Sequence, residues 1–161
     1  AGLDALVEAR RADIEKAPFG EADGLWTYLE ATGGGLMAVA ARCLGDRDGR
    51  AARALGTASG LAAYLRAVPE LEARGKLPLA DGRSEAVGAL AARGLELVGE
   101  ARAAQSAMPR AARAALMPGV LAEAVLKRVV ADPTRVKAGA VMPSEATVRL
   151  ARLKAGLFGR V

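Results

Sequence analysis

Three consecutive glycines, Gly33-Gly34-Gly35, stand in the middle of a stretch from Glu21 to Leu44 that otherwise reads as helix. Glycine loses more backbone freedom on folding than any other residue. An interior triplet therefore needs a reason: close helix contact, a kink, or space for a ligand. Downstream, Gly56 and Gly60 lie four apart in a helix expected from Arg50 towards Leu71, with Leu55, Ala58, Leu61, Ala62 and Leu65 near helical period. A small-residue face of this kind also suits tight packing.

Apolar residues make up 52% of the chain but aromatic residues only 3%, so much of the interior must be built from alanine and leucine. These residues favour helix, and the core is expected to be helix on helix. With 161 residues the chain has room for one domain with a real core. No apolar run approaches the roughly 20 residues needed to cross a bilayer. The opening Ala1 to Ala12 lacks the pattern of a signal peptide, and a first residue other than Met reads as the inside of a longer frame.

About six helices are expected in one antiparallel, all-α bundle. The first runs from Leu3 to Lys16, with Leu3, Leu6, Val7 and Ile14 on its apolar side and a stop at Pro18 to Gly20. The second spans Glu21 to Leu44. A turn at Gly45 to Gly49 leads to the third, which Pro69 should kink or end because it cannot donate to the Leu65 carbonyl. After a loop from Ala73 to Gly82, helices are expected over Ser84 to Ala107 and Pro109 to Val130, the latter bent or divided at Pro118-Gly119. Asp132-Pro133 ends that segment. The last helix starts at Pro143, with Ser144 as N-cap and Glu145 in its first turn, and carries Val148, Leu150, Leu153 and Leu157.

The chain contains no histidine, which excludes Ser-His and Cys-His nucleophiles, imidazole acid-base catalysis and zinc sites built on histidine. A single Cys43 excludes an internal disulfide and fits a reducing compartment, so cytoplasm is the expected location. A net charge of +5 can attract anions. Dispersed arginines and five aromatic residues make a poor nucleic-acid platform, and no nucleic acid is expected as a partner.

The most informative stretch is Leu55-Gly56-Thr57-Ala58-Ser59-Gly60-Leu61-Ala62-Ala63-Tyr64-Leu65-Arg66-Ala67-Val68-Pro69-Glu70-Leu71, followed by Arg74-Gly75-Lys76-Leu77-Pro78. Upstream lie Arg11-Ala12-Asp13-Ile14, Leu25, Tyr28-Leu29, the triple glycine and Leu44-Gly45. In order and spacing, these segments resemble the squalene/phytoene synthase family from about residue 8 to residue 79. The remainder is similar only in helical character and at Met117-Pro118. The resemblance implies the later part of an isoprenoid synthase fold, without the family's N-terminal helices.

Members of that family join two prenyl diphosphates head to head. Two aspartate-rich helices facing each other hold magnesium against the leaving diphosphate. Here the second motif departs from the pattern: its first aspartate position is Ala67 and its last is Leu71, leaving Glu70 as the acidic survivor. The first motif is expected upstream of residue 1. Asp46 and Asp48 sit in a turn, and their ordinary role would be turn formation or N-capping. No metal ligand and no cofactor are therefore expected, with magnesium implied only if the chain is an active synthase. The stretch from Arg66 to Glu70 is similar to a degenerate branch of the family that includes a mitochondrial respiratory complex I assembly factor.

The candidate binding residues are Tyr28, Arg66, Glu70 and Arg74, and no catalytic residue is assigned. Spacing by four lets Arg66, Glu70 and Arg74 form an ion-pair ladder, the favoured reading, or meet an anionic ligand. Tyr28 can line a cavity or, as favoured, pack against the Gly60 face. Trp26, Phe19 and Phe158 are expected in the core. Arg149, Arg152 and Lys154 give the last helix a basic side suited to solvent, anionic lipid or an acidic partner. Three functions follow as expectations. The first is a non-catalytic protein of this family acting through a protein partner or a second copy, with respiratory complex assembly as the task the branch implies. The others are a magnesium-dependent prenyl transferase, and a non-catalytic binder of prenyl diphosphate or lipid with peripheral membrane contact.

Overall fold

The computed structural model describes residues 2–14, 19 and 22–158. Among the described residues six helices make up the fold and no strand occurs. Helix α1 is Gly2–Ala9, continued by a 3-10 turn over Arg10–Ile14. Helix α2 covers 22–43 without a break: Ala22–Leu29 is α-helical, Glu30–Gly34 is a π-helical turn, and Gly35–Cys43 is α-helical again. Helix α3 is Arg50–Ala73 and α4 is Ser84–Ala104. A 3-10 segment, Ala112–Gly119, precedes α5, Ala122–Ala131, and α6 is Glu145–Phe158.

Gly33 and Gly34 end the π-helical turn and Gly35 opens the α-helix after it; the first two are glycine because α3 comes so close. A Cβ on Gly33 would strike the Gly56 carbonyl and lie 3.3 Å from the Gly60 Cα; one on Gly34 would lie 2.5 Å from Thr57 Oγ1. The expected close contact is thus made between the two glycine faces themselves. Helix α3 is the axle of the molecule. Leu55, Leu61, Leu65 and Val68 are fully buried, and α2, α4 and α5 all pack on it. Gly94 of α4 leaves room for Leu61 and Leu126, whose methyls would lie 2.8 and 3.0 Å from an added Cβ. Buried apolar residues from Phe19 to Val141 form one cluster.

The 45–49 turn forms as expected. Gly45 and Gly49 take positive φ of 96° and 72°, and the buried Asp46 carboxylate accepts from Asp48 N at 3.3 Å and Gly49 N at 3.1 Å. Asp132 ends α5 and caps the 3-10 turn Pro133–Arg135 by accepting from Thr134 N. Ser144 Oγ accepts from Thr147 N at 3.3 Å, as an N-cap should.

Four expectations are corrected. Val7 and Ile14 are 64% and 84% exposed, so the apolar side expected on the first helix does not enter the core. Pro69 does not end α3: it lies in the penultimate turn, has no N–H to give the Leu65 carbonyl, and the helix runs on to Ala73. The division expected at Pro118-Gly119 is there, but the part of the Pro109 to Val130 segment before it is 3-10, Ala112–Gly119, rather than α-helix. Gly119 is pressed under Leu55, whose Cγ would lie 2.5 Å from an added Cβ. Leu150 and Leu153 of α6 are exposed rather than packed. The expected stop at Pro18 and Gly20, and the side chains of Leu3, Lys16, Leu157 and Phe158, lie outside the described residues.

Candidate functional site

Tyr28, buried on α2, is the centre of a polar and aromatic junction at the end of α2 and α3. Its hydroxyl donates to Asp13 Oδ1 at 2.7 Å and accepts from Arg10 Nη1 at 3.1 Å, while the same Arg10 nitrogen donates to Asp13 Oδ2 at 3.1 Å. Lys76 Nζ donates to the Asp13 carbonyl. Three rings pack here in tilted and edge contacts: Phe19 to Tyr28 at 5.2 Å, Phe19 to Tyr64 at 5.9 Å, and Tyr28 to Tyr64 at 6.3 Å. Tyr64 closes the junction by donating to the Pro78 carbonyl at 2.8 Å.

Burial pushes the Tyr28 phenol up to about 12, helped by the hydrogen bond and negative charge of Asp13 and opposed by Arg10. Burial raises Tyr64 as well. Both phenols are therefore neutral donors at ordinary pH. The junction ties the turn at Arg10–Ile14, α2, α3 and the loop after α3 into one corner.

Two clefts flank it. One, about 390 Å³, is lined by Phe19, Leu25, Trp26, Leu79, Leu90 and Arg93, and the Arg93 guanidinium lies 4.2 Å from the centre of the Trp26 ring. The other, about 720 Å³, runs past the π-helical turn and carries Glu30, Arg50, Arg53 and Glu100 above an alanine floor. Phe19 and Trp26 belong to the core, as expected.

The four candidate binding residues do not share a site. Tyr28 packs, but against Phe19 and Tyr64; Gly60 is met instead by Leu29, whose methyl would lie 3.3 Å from an added Cβ. The ladder is incomplete. Glu70 pairs with Arg74 in solvent, whereas Arg66 turns to Met142 Sδ at 3.5 Å. None of the four lines either cleft. Arg10, Asp13 and Arg93 were not marked by the sequence as partners of Tyr28 and Trp26. Separations of 15 and more residues leave no local signal for them.

Tyr64, Ala67 and Leu71 recur at helical spacing on one side of α3, with Arg66 and Glu70 turned away from it. The side that would carry a magnesium clamp thus offers a methyl and an isobutyl group. Glu70, the remaining acid, is held by Arg74 on a different side. No group of three or more Asp, Glu, Cys or His residues that could hold a metal occurs among the described residues. Magnesium needs several oxygen ligands in near-octahedral geometry, and the residues present here do not fit it.

Comparison with curated proteins and with solved structures returned no match. A family model for squalene/phytoene synthase matches residues 1–82, which span α1 to α3 and the loop that follows. With half of its length matched, and with the helical architecture that such a match implies, the chain belongs to the squalene/phytoene synthase family.

Proposed function

We propose that this chain is a non-catalytic member of its family, one that keeps the helical scaffold and works through a protein partner. The observation that carries the reading is the pair Ala67 and Leu71, hydrocarbon at the two positions where the resemblance calls for carboxylates. Ionising an allylic diphosphate requires its charge to be neutralised as it leaves. The Glu70 carboxylate, engaged with Arg74 in solvent, is a poor substitute for that clamp. The Arg66 to Glu70 stretch, similar to the assembly-factor branch, supports respiratory complex assembly as the task.

A second reading has an observation of its own. The cleft beside Trp26 has mostly apolar walls, with the Arg93 guanidinium 4.2 Å from the indole and Asp81, itself paired with Arg83, also on its lining, and such walls suit a lipid or the chain of a prenyl diphosphate held without turnover.

The test is calorimetric titration of the chain, within its full reading frame, against a non-hydrolysable farnesyl diphosphate analogue with and without magnesium. The non-catalytic reading expects no magnesium-dependent heat from the folded protein. Binding that requires magnesium would overturn it in favour of a prenyl transferase. Binding indifferent to magnesium, weakened by Arg93→Gln, would select the second reading.

A further inference from the structure

We infer that α6 is a docking element for the surface of an anionic lipid bilayer. At 100° per residue, Leu150 and Leu153 fall on one side of the helix, with Arg149 and Lys154 along its two edges. Val148, Ala151 and Ala155 fall on the opposite side and are the residues withdrawn from solvent, Ala155 to 4%. The helix therefore has two apolar sides: a small one withdrawn from solvent, and a leucine stripe that is 52% and 58% exposed at Leu150 and Leu153. Among the described residues, no other element makes more than marginal contact with α6.

Charge identifies the occupant. Arg149 and Lys154 flank the stripe and are exposed, Arg152 falls on the opposite side of the helix, and the helix's one acidic residue, Glu145, lies at its first turn paired with Arg149 at 3.0 Å. A second copy of α6 laid on the stripe, parallel or antiparallel, would bring cations against cations. An anionic headgroup layer meets the same cations favourably, and the acyl boundary beneath takes up the leucines. The side withdrawn from solvent, with Val148, Ala151 and Ala155, is the far side of the helix, so the exposed stripe can meet a surface as it stands. This inference stands apart from the question of catalysis.

The test is co-sedimentation of the full chain with phosphatidylcholine vesicles, with and without phosphatidylglycerol. Binding is expected with phosphatidylglycerol, falling as salt rises. Leu150→Ser with Leu153→Ser should weaken it by about tenfold or more. Arg149→Gln with Lys154→Gln should weaken it by about tenfold on the same vesicles. Both pairs are exposed and should leave the melting temperature near that of the parent chain. Soluble glycerol phosphate should not compete, which separates a bilayer from a phosphate site. Four outcomes would overturn the inference: no binding by the folded chain, equal binding to both vesicles, displacement by glycerol phosphate, or a dimer in light scattering that the leucine pair disperses.

Discussion

Gly33 and Gly56 meet backbone to backbone: an added Cβ on either would collide with the carbonyl oxygen of the other, and one on Gly56 would also lie 2.9 Å from Gly34 Cα. No side-chain rotation can relieve this, because the obstructing atoms are main chain on both helices. Gly33→Ala and Gly56→Ala should each cost about 2–3 kcal/mol, seen as a fall of about 5–10 °C in Tm. Gly99→Ala provides the contrast. Its added methyl meets nothing within 4 Å on exposed α4, so it should raise stability by about 0.4–1 kcal/mol. Equal effects at Gly33 and Gly99 would refute the close contact.

Asp46 is 4% exposed and accepts two main-chain hydrogens at the entrance to α3. Asp46→Ala should cost about 1–2 kcal/mol in urea unfolding by leaving those donors without their acceptor. Asp48 is a useful control. It is exposed and pairs with Arg50 at 2.8 Å, so Asp48→Ala should change stability by less than about 0.5 kcal/mol.

What the sequence made legible was local. Leu55, Ala58, Leu61, Ala62 and Leu65 repeat at helical spacing and are all buried, and Ser144 announced the start of α6. The glycine faces could be read as close-contact surfaces, although nothing in the sequence said that Gly33 would find Gly56. Where tertiary packing decided, the pattern misled. Val7 and Ile14 have amphipathic spacing and yet stay exposed, and Ala112–Gly119, whose alanines and leucine favour α-helix, is 3-10 up to the break that Pro118-Gly119 announced. The Tyr28 junction depends on Arg10 and Asp13, brought to it by the fold of the chain between them. Ala67 and Leu71 stood out at once, because their meaning comes from the residue types that the family resemblance assigns to those positions.

Glu123 of α5 bridges to Arg102 of α4 at 2.8 Å and to Lys127 at 2.9 Å. The hydrogen bond from Lys127, then that from Arg102, holds its carboxyl below the usual range against the opposing effect of burial. A lowered folded-state value means that the contribution is present above the ordinary pKa of about 4.5 and is lost as pH falls through the folded value. Glu123→Gln should cost no more than about 1 kcal/mol at neutral pH. The difference from the parent should shrink at acid pH, as paired melts across that range would show.

The two tyrosines make a sharper prediction at the alkaline end. Tyr28 is held at about 12 by burial first and Asp13 second, and Tyr64 is raised by burial, whereas an unfolded tyrosine ionises near 10. Below pH 10 both states keep their protons, and the phenols do not alter the balance. Above it the unfolded chain releases protons that the folded chain retains, so stability should fall from about pH 10 towards 12. Absorbance of tyrosinate can follow this directly, since the chain has only these two tyrosines. Asp13→Asn removes a negative neighbour while keeping one oxygen that can accept from the phenol, and should lower the Tyr28 midpoint. Arg10→Gln removes a positive neighbour and should raise it. Opposite shifts from two residues that touch the same hydroxyl would establish the junction as drawn. Shifts of the same sign would mean that loosening of the corner, rather than charge, governs the titration.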